Sequence, residues 1–435
     1  MKTKSLLILT VLFFAGGIFL LSQDRITLQI GEGMPAYPLA IPKFIIHDPS
    51  PEVKASAEVI AAAEEIYQVI YADLKYSRMF IPIRESDYSY IRPLNPENIF
   101  FKDWESIQAQ ILFVGEISQG EGKNVIFDGK LYDVKAGERI TGKRYTGDSS
   151  LLRLMAHRMA DEVLKMFGED PLFQSKIAFI SDRDGNDELY MMDYDGFNPI
   201  RLTFNETTDY MPGWTADGKK IAYTSYRGDK ATLWLYSIYE GTRSIIFDEG
   251  TTYGPVFSQN GKKMAFCSTE DEGNAEIYTA DSDGTNIKRL TFNKGIDTAP
   301  TWSPNSRLIA FTSDRGGTPQ IYIMDAEGSN VERVSFGGNY HDGPAWSPTS
   351  NMIAYVSRVN QVFDIYVLNR DSNKIIKLTE SNARNESPTW SPDGRHIIYA
   401  SNFSGSIQLW TIDHDGANRR RLTSTGSNKL PEWSR

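Results

Sequence analysis

The chain has 435 residues, 40% of them hydrophobic and 23% charged, with a formal net charge of -10. That length holds two or three domains, and the composition is globular rather than disordered or fibrous. The acidic balance excludes a protein whose main partner is nucleic acid, because phosphate binding needs clustered Lys and Arg to release counterions. The single cysteine, Cys267, excludes an intramolecular disulfide and a cysteine metal cluster; within KKMAFCST it reads as a small buried hydrophobe.

Lys2 and Lys4 precede an uncharged run from Leu6 to Leu21, followed by Ser22-Gln23-Asp24-Arg25. This is the form of a secretory signal over residues 1–22, so the chain is expected to be exported. A retained anchor is the alternative, although the run is a little short of the ~20 apolar residues that span a bilayer. No cysteine lies near the signal to carry a lipid.

Residues 23–170 read as a small α/β domain. A helix is predicted over residues 51–74, with Pro51 in its first turn and Val53, Ala57, Ile60, Ala63, Val69 and Leu74 facing inward. Residues 110–117, 124–134 and 139–145 read as strands. A second helix is predicted over 151–167, with Asp148 or Ser149 as cap, Leu152, Met155, Met159 and Val163 inward, and Gly168 as the stop. Pro171 sits in a short joint between this domain and the C-terminal part of the chain.

From Lys176 onward the sequence repeats itself. Trp302, Trp346, Trp390 and Trp433 recur at near-constant spacing, and the same step backward lands on Phe257 and Trp214. The fullest copy is SPTWSPDGRHIIYAS, ending at Ser401. Each unit reads as four short strands: PxW, an apolar run such as 308–312, another such as 320–324, and a short last one such as 333–335. Asp393-Gly394, Asp217-Gly218 and Asn260-Gly261 mark the first hairpin, and Asp195-Gly196, Asp283-Gly284 and Asp415-Gly416 the third. A four-stranded repeat of this length is a propeller blade, so a mainly β fold is expected: a six-bladed β-propeller over residues 171–435, preceded by the small α/β domain. The propeller begins with a second-strand sequence, KIAFIS, and its last segment, Leu430-Pro431-Glu432-Trp433, is a first-strand sequence. That phase predicts closure of the ring by the C-terminal segment.

The Asp-x-Asp-Gly segments ending at Gly196 and Gly284 resemble the start of a calcium loop but lack its downstream Glu and flanking helices, and read as hairpin turns. His47, His157, His341, His396 and His414 show no metal-ligand spacing. Neither a G-x-S-x-G elbow nor a Walker loop is present. No catalytic residue, cofactor or metal is expected.

In a four-stranded meander the loops before the first strand and between the second and third share one face, and the Asp-Gly turns share the other. The first set is more varied, as at 181–187, 268–275 and 336–342, and recognition is expected there. Just before the inner-strand prolines lie Asp209 and Tyr210, Thr252 and Tyr253, Asp297 and Thr298, His341 and Asp342, and Glu386. These are expected to ring the channel mouth, where carboxylates favour a basic partner segment or a cation.

The PTWSPDG repeats, the phrase SDRDGNDELYMMDYDG, and the preceding YPLAIPKF and AQILFVGEI resemble the TolB family over nearly the whole mature chain. The resemblance implies a periplasmic, monomeric, non-enzymatic scaffold of the Tol-Pal envelope system, peripheral to the membranes and supporting outer-membrane integrity and cell division. It implies that the loop face binds the lipoprotein Pal through Thr251, Gly254 and Thr298. It also implies that a segment near residues 22–33, including Asp24, Arg25, Ile26 and Thr27, binds TolA. The competing classes are a small-molecule or cation-binding propeller and a hydrolase-associated one.

Overall fold

A computed structural model describes residues Ala36–Arg435 apart from 229, 271, 272 and 381. The signal over 1–22 and the segment holding Asp24, Arg25, Ile26 and Thr27 lie outside the described residues. No helix among the described residues is long and apolar enough to cross a membrane.

The first part runs β1 (Tyr37–Ala40), β2 (Ile45–Ile46), α1 (Ala57–Tyr76), β3 (Phe80–Pro82), α2 (Phe101–Ser106), β4 (Ile111–Gln119), β5 (Val125–Asp133), β6 (Glu138–Gly147) and α3 (Leu152–Met166). Its sheet has the order β3-β1-β4-β5-β6, with β2 also on β4; β1 is parallel to β3 and β4, and the rest of the path is antiparallel. The central β4 is almost continuously buried, whereas β6, at the edge, carries the exposed Lys143 and Arg144 that discourage further pairing. Gly115 and Gly129 face each other across β4 and β5. A Cβ on the first would lie 2.5 Å from the Phe44 ring, and one on the second 2.8 Å from Met159 Sδ, so both glycines admit side chains onto the sheet.

α1 departs from the predicted helix. It begins at Ala57 with the Ser56 hydroxyl accepting from Val59 N, and the predicted first turn is absent because Asp48 accepts from Ala55 N and Lys54 and folds the preceding chain back. Val53 and Ile60, expected inward, are 54% and 52% exposed. The buried stripe is Val59, Ala62, Ile66, Ile70 and Asp73, at helical spacing but one position out of phase with the expectation in its first turns. α3 follows the sequence closely. Asp148 accepts from Ser150 N at the start of the turn Ser149–Leu151, the four expected inward residues are buried, and Gly168 ends the helix at φ +81°.

The remaining strands form six four-stranded sheets. Blades one to five have inner strands Asp209–Trp214, Thr252–Phe257, Asp297–Trp302, His341–Trp346 and Asn385–Trp390; blade six takes its inner strand, Asn428–Trp433, from the far end of the chain and pairs it with Lys176–Ser181. Ser434 N and Oγ both bond to the Lys176 backbone at 2.8 Å, and Trp433 Nε1 donates to Ser175 Oγ at 2.8 Å, which closes the ring as the repeat phase predicts.

The period of aromatic residues has a direct structural cause. Trp214, Trp302 and Trp390 donate their indole N–H to Glu432 O, Val256 O and Ala345 O of the preceding blade, at 2.9, 3.2 and 2.9 Å. Each such ring fills the space between two sheets while its polar edge ties them together. The Asp-Gly turns also behave as read. Gly196, Gly284 and Gly416 have φ of +94°, +87° and +89°, and the first Asp of each motif accepts from a downstream Asn, as Asp193 from Asn198 and Asp281 from Asn286.

Candidate interaction site: the loop face and channel

Every inner strand follows one pattern, fixed by a bulge. The register against the second strand shifts between the second and fifth residues, and the third residue is left-handed: Met211, Gly254, Ala299, Gly343, Ser387 and Leu430 have φ between +49° and +64°. Glycine meets that demand without strain only at 254 and 343. The bulge decides which side chains reach the channel. Residue one turns into the blade, residues two to five line the channel in most blades, with Tyr210 and Lys429 at the hollow beside it, and residue six is the buried aromatic anchor.

This corrects the expected ring at the mouth. Asp209, Thr252, Asp297 and His341 are residue-one positions and are buried inside their blades. Asp209 accepts from Ser225 Oγ (2.5 Å) and Asn205 (2.9 Å); Asp297 accepts from Arg315 (2.7 Å) and Asn293 (2.6 Å). Burial raises both carboxyl pKa values above the ordinary range. These side chains hold the loops from below rather than facing a ligand. His341 is enclosed against the Tyr355 ring, and burial, with the Arg333 charge, lowers its pKa. The residue-two side chains Tyr210, Tyr253, Thr298, Asp342 and Glu386 are part-exposed, as expected of the mouth; Thr251 lies just outside its strand on the same face. Thr298 belongs to the strand proper, facing the channel and accepting from the Cys267 thiol at 3.6 Å. Burial pushes that thiol up to about 12.

The channel encloses about 440 Å³, walled by Tyr253, Thr298, Tyr340, Asp342, Glu386 and Glu432 among others. Tyr340 donates to Asp342 (2.8 Å), and Arg384 pairs with Glu386 (2.6 Å). A second hollow of about 370 Å³ opens beside it, floored by Ala400, Ile407 and Leu430 and rimmed by Asp187 and Lys429, which pair at 2.7 Å.

The opposite face is occupied. α1 and α3 dock on the Asp-Gly turns of blades five and six. Asp73 is buried, accepting from His157 Nδ1 (2.8 Å) and from the Tyr194 hydroxyl (2.5 Å). Arg153 pairs with Asp195, Lys176 with Asp193, Arg78 with Asp415 (2.8 Å), and Arg395 with Glu169 (2.6 Å). The Tyr76 ring stacks on His396, whose Nδ1 donates to Asp413 at 2.7 Å. His157, Asp193 and Asp195 present ligand atoms within 4.8 Å of one another, the spacing of a metal site. Both carboxylates already carry a cationic partner, so the arrangement works as an ion-pair network joining the two parts. The sequence pointed to none of this, since residues 73, 157 and 194 meet only on folding.

A family model described as the TolB beta propeller domain matches residues 163–435, and one described as the TolB amino-terminal domain matches residues 27–140. A Protein TolB homolog of Chlorobium chlorochromatii is 36% identical over 218 residues, which are 50% of this chain and 49% of the relative. The Tol-Pal system protein TolB of Desulfosudis oleivorans is 32% identical over 301 residues, covering 68% of this chain and 66% of the relative. The matched stretch thus spans half to two thirds of these relatives. The crystal structure of TolB from Acinetobacter baumannii superposes with a TM-score of 0.76 at 26% identity, covering 92% of this chain and 96% of that one. The shared architecture and the family match over both parts lead to one assignment: the chain belongs to the TolB family.

Proposed function

We propose that this chain is a non-enzymatic periplasmic scaffold of the Tol-Pal system. In this reading it is exported by the signal over residues 1–22, binds Pal with the loop face, engages TolA through the segment holding Asp24 to Thr27, and supports outer-membrane integrity and cell division. The names of its relatives support the system. One observation supports the face: α1 and α3 cover the turn face of blades five and six, while Thr251, Gly254 and Thr298 lie together on the opposite, open side. The non-enzymatic reading draws support from four buried acids that serve as structural ties. Asp209, Asp297, Glu188 and Glu276 are all engaged by loop or strand partners.

The test is a calorimetric titration of purified Pal. Thr298→Arg puts an unpaired charge on the channel wall and is expected to weaken binding about a hundredfold, since stranding a charge in an interface costs several kcal/mol. Glu327→Arg, at an exposed turn of blade three on the far face, is expected to leave affinity within about twofold, as for surface changes away from a contact. A larger loss from the turn-face change would overturn the choice of face. Failure of the unaltered protein to bind Pal would overturn the partner.

A further inference from the structure

The fifth residues of the inner strands are Gly213, Val256, Thr301, Ala345, Thr389 and Glu432; Gly213 packs on the Pro255 carbonyl of the next blade and the other five line the channel. All but Glu432 are small or uncharged. Glu432 is the one ionisable side chain at that level. Its surroundings are the Thr389 hydroxyl from blade five and, along its own strand, the Arg435 guanidinium. Arg435 is directed away, donating to the carbonyls of Phe257 and Ser258 at the far end of the channel. Nearer the loop face, Asp342 stands at the second residue of blade four and accepts from the Tyr340 hydroxyl, whereas Glu386 of blade five is paired with Arg384 and Lys429 of blade six with Asp187; the Tyr253 ring also lines the channel.

Carboxylate charge therefore sits at two levels, residues two and five, which the bulge sets two partner-strand residues apart, roughly 7 Å at the usual rise per residue. A divalent metal ion needs several oxygen donors converging within about 2.6 Å of one point, and two levels so far apart do not supply them. Between the levels the wall is made of the inner-strand prolines and of small or apolar residues, with aromatic faces at the rim. Such a wall suits methylene groups, and the faces of Tyr rings attract ammonium ions.

We propose that the propeller channel is a binding site for a linear diamine or polyamine, with one ammonium group held by Glu432 and another by Asp342 at the rim. The inference does not depend on which protein docks on the loop face. Burial lifts the Glu432 pKa to about 7, against the Thr389 hydrogen bond and the Arg435 charge. An ammonium ion seated against it favours the ionised form, so binding strengthens as pH rises through neutrality.

The experiment is titration of the full chain with spermidine and with 1,8-diaminooctane, using 1-aminooctane as the single-charge control. Saturable binding of the two polyvalent amines is expected, at least about tenfold tighter than the monoamine, the worth of one further charge-assisted hydrogen bond. Glu432→Gln is expected to weaken diamine binding by about tenfold or more and to flatten its pH dependence, while keeping the volume of the side chain and removing a buried charge. A second variant, Asp342→Asn, is expected to weaken binding at the rim without altering the pH dependence near neutrality. No saturable binding, equal affinity for the monoamine, or diamine binding unchanged in Glu432→Gln would each overturn the proposal.

Discussion

At the first residue of each inner strand a polar side chain is turned into the blade, where it is a structural tie. Asp297 shows what that tie does: its carboxylate joins Arg315 of the loop after the second strand to Asn293 of the loop before its own strand. Removing it leaves Arg315 without its charge partner, and Asp297→Ala is expected to cost about 3 kcal/mol in urea unfolding, the scale of a broken buried ion pair. Asp283→Ala, in an exposed turn where the carboxylate accepts from Thr285, is expected to leave the unfolding midpoint nearly unchanged. Equal effects would mean that residue one of the strand is an ordinary surface position. Sequence showed Asp209 and Asp297 next to the channel prolines, but not their direction. The left-handed third residue sets that direction, and at Met211, Ala299, Ser387 and Leu430 nothing in the residue type announces it.

At the scale of elements, the joint between α1, α3 and the turns of blade six is governed by charge balance. Three carboxylates, Asp73, Asp193 and Asp195, meet two fixed cations, Arg153 and Lys176, and a proton on His157 supplies the remaining positive charge. Burial opposes the charged imidazole, but Asp73 and then Asp195 outweigh burial and the Arg153 charge, so the His157 pKa is raised. Asp73 is shifted upward as well, by burial, against His157 and Tyr194. A raised folded-state pKa contributes stability that is complete below the unfolded value of about 6.5 and is lost as pH rises through the folded value. The difference in thermal midpoint between the unaltered protein and His157→Gln is therefore expected to be largest near pH 6 and to shrink as the solution becomes alkaline. A difference that grows with pH would mean that the pair is held as neutral imidazole. The sequence located α3 to within a residue, because its cap, apolar stripe and terminal glycine are local signals. It assigned His157 no role, because its partners Asp73 and Tyr194 are remote in the chain.

For the whole molecule, ring closure rests on the last strand. Asn428–Trp433 pairs with Lys176–Ser181, Trp433 donates to Ser175, and Trp214 donates across the seam to Glu432 O. Deleting residues 430–435 removes a buried Trp and strips blade six of its inner strand. The loss of the Trp alone is worth about 3–5 kcal/mol, so the thermal midpoint is expected to fall by about 10 °C or more. The exposed strand edge is expected to make the truncated protein associate, as read by light scattering. An unchanged midpoint together with an unchanged mass would overturn the role given to this strand.

The propeller was legible from residue order alone, because its signals are short-range and repeated six times: an aromatic anchor at fixed spacing, apolar runs of strand length, and Asp-Gly or Asn-Gly at turns that require positive φ. So was the closure of the ring, since the phase of the repeat can be read at both ends of the propeller sequence. Which carboxylates face the channel was settled only by folding, because one bulged residue reverses the side to which every later side chain points. Folding also set Glu432 among uncharged neighbours and laid α1 and α3 over the turns of blades five and six. Those are relations between residues tens to hundreds of positions apart, and only packing brings them together.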